Sequence, residues 1–189
     1  MTSSPDITFL PSVDGTTVCL CHIGMTPRGA HRKAEKDAVA HLLKHRFGDG
    51  ARLLHDDAGA PSVHGFDGHI SVSHSPRIAF LAVDPKCPVG IDAEPWRDSL
   101  TVLAPRFMKP CELDVYGSDP RLILRAWTAK EAAFKTLGMP QLVISDIILP
   151  PDPEATVVRI CGRTLSLHFF EPVEGHAVTL AKLPPDQPL

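Results

Sequence analysis

One predicted helix, residues 121–137, constrains the fold of this chain more than any other segment. Gly138 and Pro140 follow it, and residues of this kind commonly end a helix. Its large apolar side chains recur at the three- and four-residue spacing of one helix face. They are Ile123, Trp127, Phe134 and Leu137. We therefore expect this helix to lie against the core of the domain.

Charged residues accompany this apolar face. Glu131 and Lys135 lie one turn apart on its shoulder, whereas Lys130 falls within the apolar seam itself. A Glu–Lys pair at this spacing is commonly an ordinary surface interaction, worth a few tenths of a kcal/mol. A lysine in an apolar seam either extends its ammonium group to solvent or is held by an anion. The residues alone leave both alternatives open.

A second segment, residues 89–94, reads Val-Gly-Ile-Asp-Ala-Glu and is predicted to be a short strand. Side chains alternate along a strand, so Asp92 and Glu94 point one way while Ile91 and Ala93 face the core. Two neighbouring like charges repel unless a cation or a donor lies between them. Carboxylate oxygens with lysines nearby suit a complex of Mg²⁺ with a phosphate substrate. The alternative is a solvated strand end.

The remaining pattern predicts an α+β protein. A first strand is expected at 16–23, and a helix runs from Thr26 as its N-cap to residue 47. Further predicted elements are a hairpin of strands 69–75 and 78–83, helices 100–107 and 112–116, and strands 142–149, 156–160, 164–170 and 177–183. Residues 1–85 and 86–189 each contain a long helix and several strands, which permits two similar α/β halves. Residues 184–189 are predicted to be a loose tail.

Composition excludes some functional classes. A formal net charge of −3 argues against a general nucleic-acid binder, since no strongly basic field is available. No apolar run approaches the roughly 20 residues that span a bilayer, and residues 1–11 lack the basic and apolar regions of a secretory signal, so they are not expected to be one. The five cysteines are odd in number and scattered, which indicates reduced thiols and a cytoplasmic location. Cys19 and Cys21 share one face of a strand and are interpreted as small buried hydrophobes.

Two motifs together resemble the paired signature of the 4′-phosphopantetheinyl transferases. Residues 89–94 match V-G-I-D-x-E, and residues 127–135 match W-[ST]-x-K-E-[AS]-x-x-K. Residues 70–75, Ile-Ser-Val-Ser-His-Ser, are similar to the Ser-His motif of that family. Arg-Phe-Met at 106–108 with Glu-Leu at 112–113 is similar to its R-F-x…E-L segment. An ordered set of this kind is far more specific than any single motif.

This resemblance implies an enzyme that transfers phosphopantetheine from coenzyme A to a serine of an apo acyl or peptidyl carrier protein and releases 3′,5′-ADP. Mg²⁺ is the implied cofactor, and neither nucleic acid nor membrane is an expected partner. The rival hypothesis is a catalytically silent coenzyme A-binding homologue that acts as a regulatory or interaction module. The complete carboxylate and lysine set argues against a silent homologue. A structural α+β domain with accidental motif matches is the third hypothesis.

The resemblance also implies roles for single residues. Asp92, Glu94 and Glu131 are the implied metal ligands, and Glu131 is the implied acceptor of the serine proton. Asp92, Glu131 and Lys135 form the expected catalytic set. The residues implied to bind coenzyme A are Arg28, Arg32, Ser73, His74, Lys130 and Lys135. Lys130 and Lys135 are expected to hold phosphates, and Ser73 and His74 the 3′-phosphate.

One position departs from the family pattern. The family often has Gly-Lys-Pro before the Ser-His strand, whereas this chain has Ala60 there. Arg28, Arg32 or Lys36 on the first helix is expected to replace the missing cation. The length resembles that of the larger, surfactin-synthetase-activating type, which implies two similar halves about a pseudo-twofold axis with coenzyme A between them. A chain containing both halves is expected to be a monomer.

Overall fold

The computed structural model describes residues 6–187 except Thr26, Arg28, Ala58 and Glu174. The strands are β1 Ile7–Phe9, β2 Thr17–His22, β3 Leu53–His55, β4 Pro61–Val63, β5 His69–His74, β6 Ile78–Asp84, β7 Val89–Pro95, β8 Val157–Ile160, β9 Arg163–Val173 and β10 His176–Lys182. The α-helices are α1 His31–Phe47, α2 Ser99–Leu103, α3 Pro110–Tyr116 and α4 Pro120–Leu137. Short 3₁₀ helices occupy Ala104–Arg106 and Ile144–Asp146. The protein is thus a mixed α/β structure.

The first sheet has the strand order β1-β2-β6-β5, and all its neighbouring strands are antiparallel. Helix α1 covers it with an apolar stripe. The buried members of that stripe are Ala38, Val39, Leu42 and Leu43. Two cysteines of β2, Cys19 and Cys21, lie in the same core cluster. Burial raises the pKa of each thiol to about 11, and this placement confirms their interpretation as buried hydrophobes.

The second sheet has the strand order β7-β10-β9-β8 and is also antiparallel. Helix α4 packs on β7 and β10, and Gly90 determines how closely it approaches. A Cβ at Gly90 would clash with the carbonyl oxygen of Ala132 and with Thr136. Glycine at this motif position therefore lets the helix backbone lie directly on the strand. The predicted helix 121–137 and strand 89–94 are both present with nearly those bounds.

The two sheets meet along β5 and β7. Here serine side chains replace part of the backbone pairing, since the Oγ atoms of Ser71 and Ser73 accept hydrogen bonds from Ile91 N and Ala93 N. An apolar cluster also joins the sheets. It contains Val18, Leu20 and Phe80 of the first sheet and Ile91, Val178 and Leu180 of the second. The relative position of β5 and β7 is thereby fixed by both packing and hydrogen bonds.

A buried ion pair adds a second connection between the sheets. Asp84 at the end of β6 accepts hydrogen bonds from the Lys182 ammonium at 2.8 Å and from the Thr16 hydroxyl at 2.6 Å. Burial by itself raises the pKa of Asp84. These two bonds and two backbone N–H groups outweigh it and hold that pKa at about 2. The pair is fully satisfied and stabilises the junction.

Three local predictions need correction. Helix α1 begins at His31 rather than near residue 26, because Gly29 adopts φ of 89° and breaks the helical path. The predicted N-cap, Thr26, lies outside the described residues. The predicted helix 100–107 divides into α2 and a 3₁₀ turn. Residues 142–149 form no strand, and Leu149 N donates to the Glu112 side chain instead of a neighbouring strand.

No helix in the described part of the chain combines the length and the apolar character needed to cross a membrane.

Candidate functional site

Helix α4 and strand β7 bring the two predicted motifs together. The close approach at Gly90 places the end of α4 beside Asp92, and the two elements are joined by Lys135. The Lys135 ammonium donates to Asp92 Oδ1 at 2.8 Å and to the backbone oxygen of Ile91 at 3.0 Å. Lys135 therefore pairs with Asp92 of the other motif rather than with Glu131 on its own helix.

The Asp92 carboxylate has two oxygens in unlike environments. Oδ1 accepts from Lys135 and, at 3.1 Å, from the hydroxyl of Ser73. Oδ2 is buried and has no hydrogen-bond partner in the described structure. An unpartnered carboxylate oxygen in a residue that is only 5 % exposed is energetically unfavourable unless a ligand completes it. Such an atom indicates a binding site for a cation or a donor.

Glu94 lies two residues further along β7 and is partly engaged. It accepts from Trp127 Nε1 at 3.4 Å and pairs with the Arg97 guanidinium at 3.2 Å. Burial, followed by the negative charge of Asp92, raises the pKa of Glu94, and Arg97 offsets only part of this. The tryptophan of the helix motif therefore contacts a carboxylate of the strand motif.

Glu131 completes the group of carboxylates. It makes no hydrogen bond or ion pair to other described residues, although it is only partly exposed. Burial is the largest cause of the raised pKa of Glu131. The negative charges of Asp92 and Glu94 also raise this pKa, and the positive charge of Lys135 lowers it. The negative charge of Asp92 contributes to the raised pKa of both Glu94 and Glu131, which indicates that the three carboxylates are neighbours. Of the three, Glu131 alone has no hydrogen bond or ion pair to a described residue.

The predicted ligands suit a divalent cation chemically but are not assembled around one. The described residues contain no group of three or more His, Cys, Asp or Glu side chains that could hold a metal ion. The donor set nevertheless consists of hard oxygens, which Mg²⁺ prefers, and Asp92 supplies a buried oxygen without a partner. We conclude that these residues fit a hard cation, with Lys135 at present neutralising the Asp92 charge.

Lys130 lies elsewhere, which corrects the expectation that it reaches a phosphate. Its ammonium group is completely buried and donates to the Glu112 carboxylate at 2.7 Å and to the backbone oxygens of Phe107 and Ile147. An ammonium group has three N–H donors, and all three have protein acceptors. Burial lowers the pKa of Lys130, and the bond to Glu112 opposes that effect. Lys130 is therefore a structural residue.

Ser73 also occupies an unexpected position. Ser73 is only 6 % exposed, and its hydroxyl hydrogen is donated to Asp92, so it is not available to a phosphate. Arg32 is exposed on α1. His74 remains accessible and lies 3.8 Å from the Glu35 carboxylate through its Nδ1. Arg28 lies outside the described residues.

A cleft of about 1120 Å³ reaches Lys135, the lysine that contacts Asp92, although Asp92, Glu94 and Glu131 are not among its lining residues. One side is formed by α1, the β3–β4 hairpin and β5, and the other by the end of α4. Its apolar lining includes Val39, Leu43, Ile70 and Phe134. Lys36, His74 and Lys135 are among its basic groups, Glu35 and Asp56 are its acidic groups, and Lys135 also contacts Asp92. The cleft therefore combines an apolar surface with side chains of both charges, and Ala60 lies in its wall.

Several contacts at the site were not evident from the sequence. The contacts of Glu112 with Lys130 and of Ser73 with Asp92 join residues on different elements, whereas Arg97 lies only three residues after Glu94, just beyond the end of β7. The R-F-x…E-L similarity was the only available signal for one of them, since Phe107 and Glu112 hold Lys130. That motif therefore supports the helix rather than contacting a ligand.

Residues 88–181 match the family model of the 4′-phosphopantetheinyl transferase superfamily. The matched segment contains β7, α4 and all the carboxylates of the candidate site. This part of the chain is thus a domain of that superfamily, and the match supports a transferase. No curated protein matches the chain.

Proposed function

We propose, with the superfamily domain at residues 88–181 as the premise, that this protein transfers 4′-phosphopantetheine from coenzyme A to a serine of an apo carrier protein and releases 3′,5′-ADP. One observation carries the proposal most directly. Asp92 Oδ2 is buried without a partner, beside a Glu131 that makes no polar contact with the described residues. This arrangement leaves two carboxylate groups ready for a charged ligand.

The proposed cation is Mg²⁺, held by Asp92, Glu131 and Glu94. Bound at these oxygens, Mg²⁺ supplies Lewis-acid chemistry that offsets negative charge on a leaving phosphate. Glu94 is already engaged by Trp127 and Arg97, so its interaction with the cation is expected to be the weakest of the three. Mg²⁺ commonly takes only one or two protein carboxylates together with water and substrate phosphates. This preference agrees with one buried and one uncommitted carboxylate.

Glu131 is the proposed general base. The serine oxygen of the carrier protein forms a bond to the phosphorus that bears pantetheine, and the pyrophosphate bond of coenzyme A breaks. The serine hydroxyl loses its proton to Glu131, and the electron pair of the broken bond remains on 3′,5′-ADP. Glu131 makes no hydrogen bond or ion pair to other described residues, so no protein donor occupies its carboxylate in this role.

Lys135 and the cleft are proposed to bind coenzyme A. Lys135 belongs both to the cleft wall and to the Asp92 pair, so it is placed to hold a phosphate where the two meet. The apolar lining suits the adenine ring, and His74 and Lys36 offer donors to the phosphate on the ribose. Ala60 supplies no charge, so Lys36 is the proposed replacement for the family lysine.

The finer architecture is also a proposal. Each four-stranded antiparallel sheet carries one long helix, and the strands of the two sheets come from residues before and after residue 85. This arrangement supports two similar halves about a pseudo-twofold axis, as in the surfactin-synthetase-activating type. Since one chain supplies both walls of the cleft, we also propose that the protein acts as a monomer. Sedimentation analysis with and without coenzyme A tests this proposal.

The experiment that tests the function is intact mass spectrometry of apo carrier proteins incubated with the protein, coenzyme A and Mg²⁺. The panel includes fatty-acid, polyketide and peptide-synthetase carriers, each with a control in which serine is replaced by alanine. We expect a phosphopantetheine mass gain on at least one carrier and none on its alanine control. If no carrier gains this mass, while coenzyme A still binds, the protein is a silent homologue.

A further inference from the structure

Two serines of β5 make the same backbone contact across the junction of the sheets. Ser71 Oγ accepts from Ile91 N at 3.0 Å, and Ser73 Oγ accepts from Ala93 N at 3.1 Å. Both serines are buried, at 3 % and 6 % exposure. Their similar environments mean that removing either hydroxyl leaves one buried N–H group of β7 without an acceptor. The two positions therefore form a natural matched pair.

Ser71 lines the cleft, and of the two serines only Ser73 makes a further side-chain hydrogen bond among the described residues. Its hydroxyl also lies 3.1 Å from Asp92 Oδ1. A carboxylate accepts hydrogen bonds and donates none, so the single hydrogen of Ser73 is donated to Asp92. Lys135 donates to the same oxygen at 2.8 Å. Two donors on Oδ1 fix the carboxylate and leave Oδ2 as the oxygen without a protein partner.

We propose that Ser73 is a positioning residue for the cation ligand Asp92, and not a ligand of the coenzyme A phosphate. This inference rests on the proposed function, because it takes Asp92 as a ligand of a divalent cation. Ser73 belongs to the first sheet and Asp92 to the second, so the hydroxyl makes the cation site depend on the junction between them. In other proteins, removing a group that orients a metal ligand commonly weakens metal binding by roughly 10- to 100-fold.

The test is a titration of the full chain with Mn²⁺, in which electron paramagnetic resonance measures the free ion. Wild type, Ser73→Ala and Ser71→Ala are compared, each with and without coenzyme A. We expect Ser73→Ala to weaken Mn²⁺ binding roughly tenfold or more. Ser71→Ala is expected to stay within about twofold of wild type, since it loses only a junction bond. Thermal unfolding of both variants is measured in parallel and should show similar losses of stability.

A rescue variant separates the hydroxyl from its surroundings. Ser73→Thr keeps the donor and is expected to restore most of the Mn²⁺ affinity. If Ser73→Ala does not fold, Ser73→Cys retains a side chain of similar shape with a weaker donor, and its Mn²⁺ binding should still be weaker than that of Ser71→Ala.

The outcomes distinguish this inference from the proposed function. If wild type binds Mn²⁺ and the two alanine variants lose affinity equally, or not at all, Ser73 has no specific role and the proposed function remains. If wild type binds no Mn²⁺ with or without coenzyme A, the proposed metal site is wrong and the inference is overturned with it.

Discussion

Lys130 and Lys135 stand on the same helix and each holds a carboxylate, but their surroundings differ. Lys130 and Glu112 are completely or almost completely buried, and every N–H of the lysine has an acceptor. Lys135 is partly exposed, and its partner Asp92 keeps one oxygen without a bond. The first pair is complete without a ligand, whereas the second is not. A motif that contains two lysines thus combines one structural residue with one at the ligand site.

The largest effect is expected from breaking the complete pair. Lys130→Met leaves the Glu112 charge buried without a counterion, which lowers the free energy of unfolding by about 3–5 kcal/mol. The double variant Lys130→Met with Glu112→Gln should lose less, because no bare charge remains. Chemical denaturation measures both variants. Wild-type stability in the single variant would show that the Lys130 pair is not structural.

The incomplete pair should show the opposite behaviour. Lys135→Met is expected to reduce phosphopantetheine transfer by about 10- to 100-fold, because a cation is lost at the phosphate position. Its free energy of unfolding should fall by less than that of Lys130→Met, because Lys135 is partly exposed and Ser73 still donates to Asp92. Initial rates and denaturation curves give both quantities. A stability loss as large as that of Lys130→Met, with normal transfer, would remove the contrast between the pairs.

A third pair sharpens this contrast through its pH dependence. Asp84 is fully bonded to Lys182 and Thr16, and its pKa falls from 3.8 to about 2 on folding. A lowered carboxyl pKa adds stability above about pH 4, and this stability is lost as the pH falls towards 2. At about 1.4 kcal/mol per pKa unit, the loss is about 2 kcal/mol. Denaturation curves over this pH range should show this loss of stability in wild type and not in Asp84→Asn.

The smallest predicted effect concerns the distal phosphate. Lys36 lines the cleft, whereas Arg32 is exposed on the same helix outside the cleft lining. Lys36→Ala should therefore raise the KM for coenzyme A severalfold, on the order of 1 kcal/mol. Arg32→Ala removes the same charge from the same helix and serves as the matched control. It should change the KM for coenzyme A less than Lys36→Ala does. Steady-state kinetics with coenzyme A as the varied substrate tests this, and equal KM values for both variants would contradict the assignment of Lys36.

The hydrophobic pattern was sufficient for much of the fold. Helix α4, strand β7 and the β5–β6 hairpin follow from the pattern of apolar residues, which recur at helical spacing in α4 and form a continuous buried run in β6. Residues 142–149 showed a similar alternation without forming a strand. Leu142, Ile147 and Leu149 are buried in the core, but the Glu112 side chain, rather than a neighbouring strand, accepts the hydrogen bond of Leu149 N. The local pattern of apolar residues therefore indicates which side chains are buried. It does not indicate which groups form hydrogen bonds with the backbone.

The candidate site could be predicted only in part for a related reason. The carboxylates and Lys135 were predicted because they share two compact motifs. For Lys130 the sequence left open whether an anion holds it, and the anion proved to be Glu112 of the same chain. Ser73 was expected at a phosphate because nothing in the sequence shows how the sheets are placed. Its contact with Asp92 depends on the junction of β5 and β7, which is a tertiary property.

The central claim is that Glu131 on α4, which has no partner among the described residues, accepts the proton of the carrier serine during transfer. The most direct test is intact mass spectrometry of an accepted apo carrier protein treated with Glu131→Gln, with wild type in parallel. Burial and the charge of Asp92 disfavour the Glu131 carboxylate, so the variant should be at least as stable as wild type. We predict no phosphopantetheine mass gain with the folded variant. A mass gain at the wild-type rate would contradict the proposed role of Glu131.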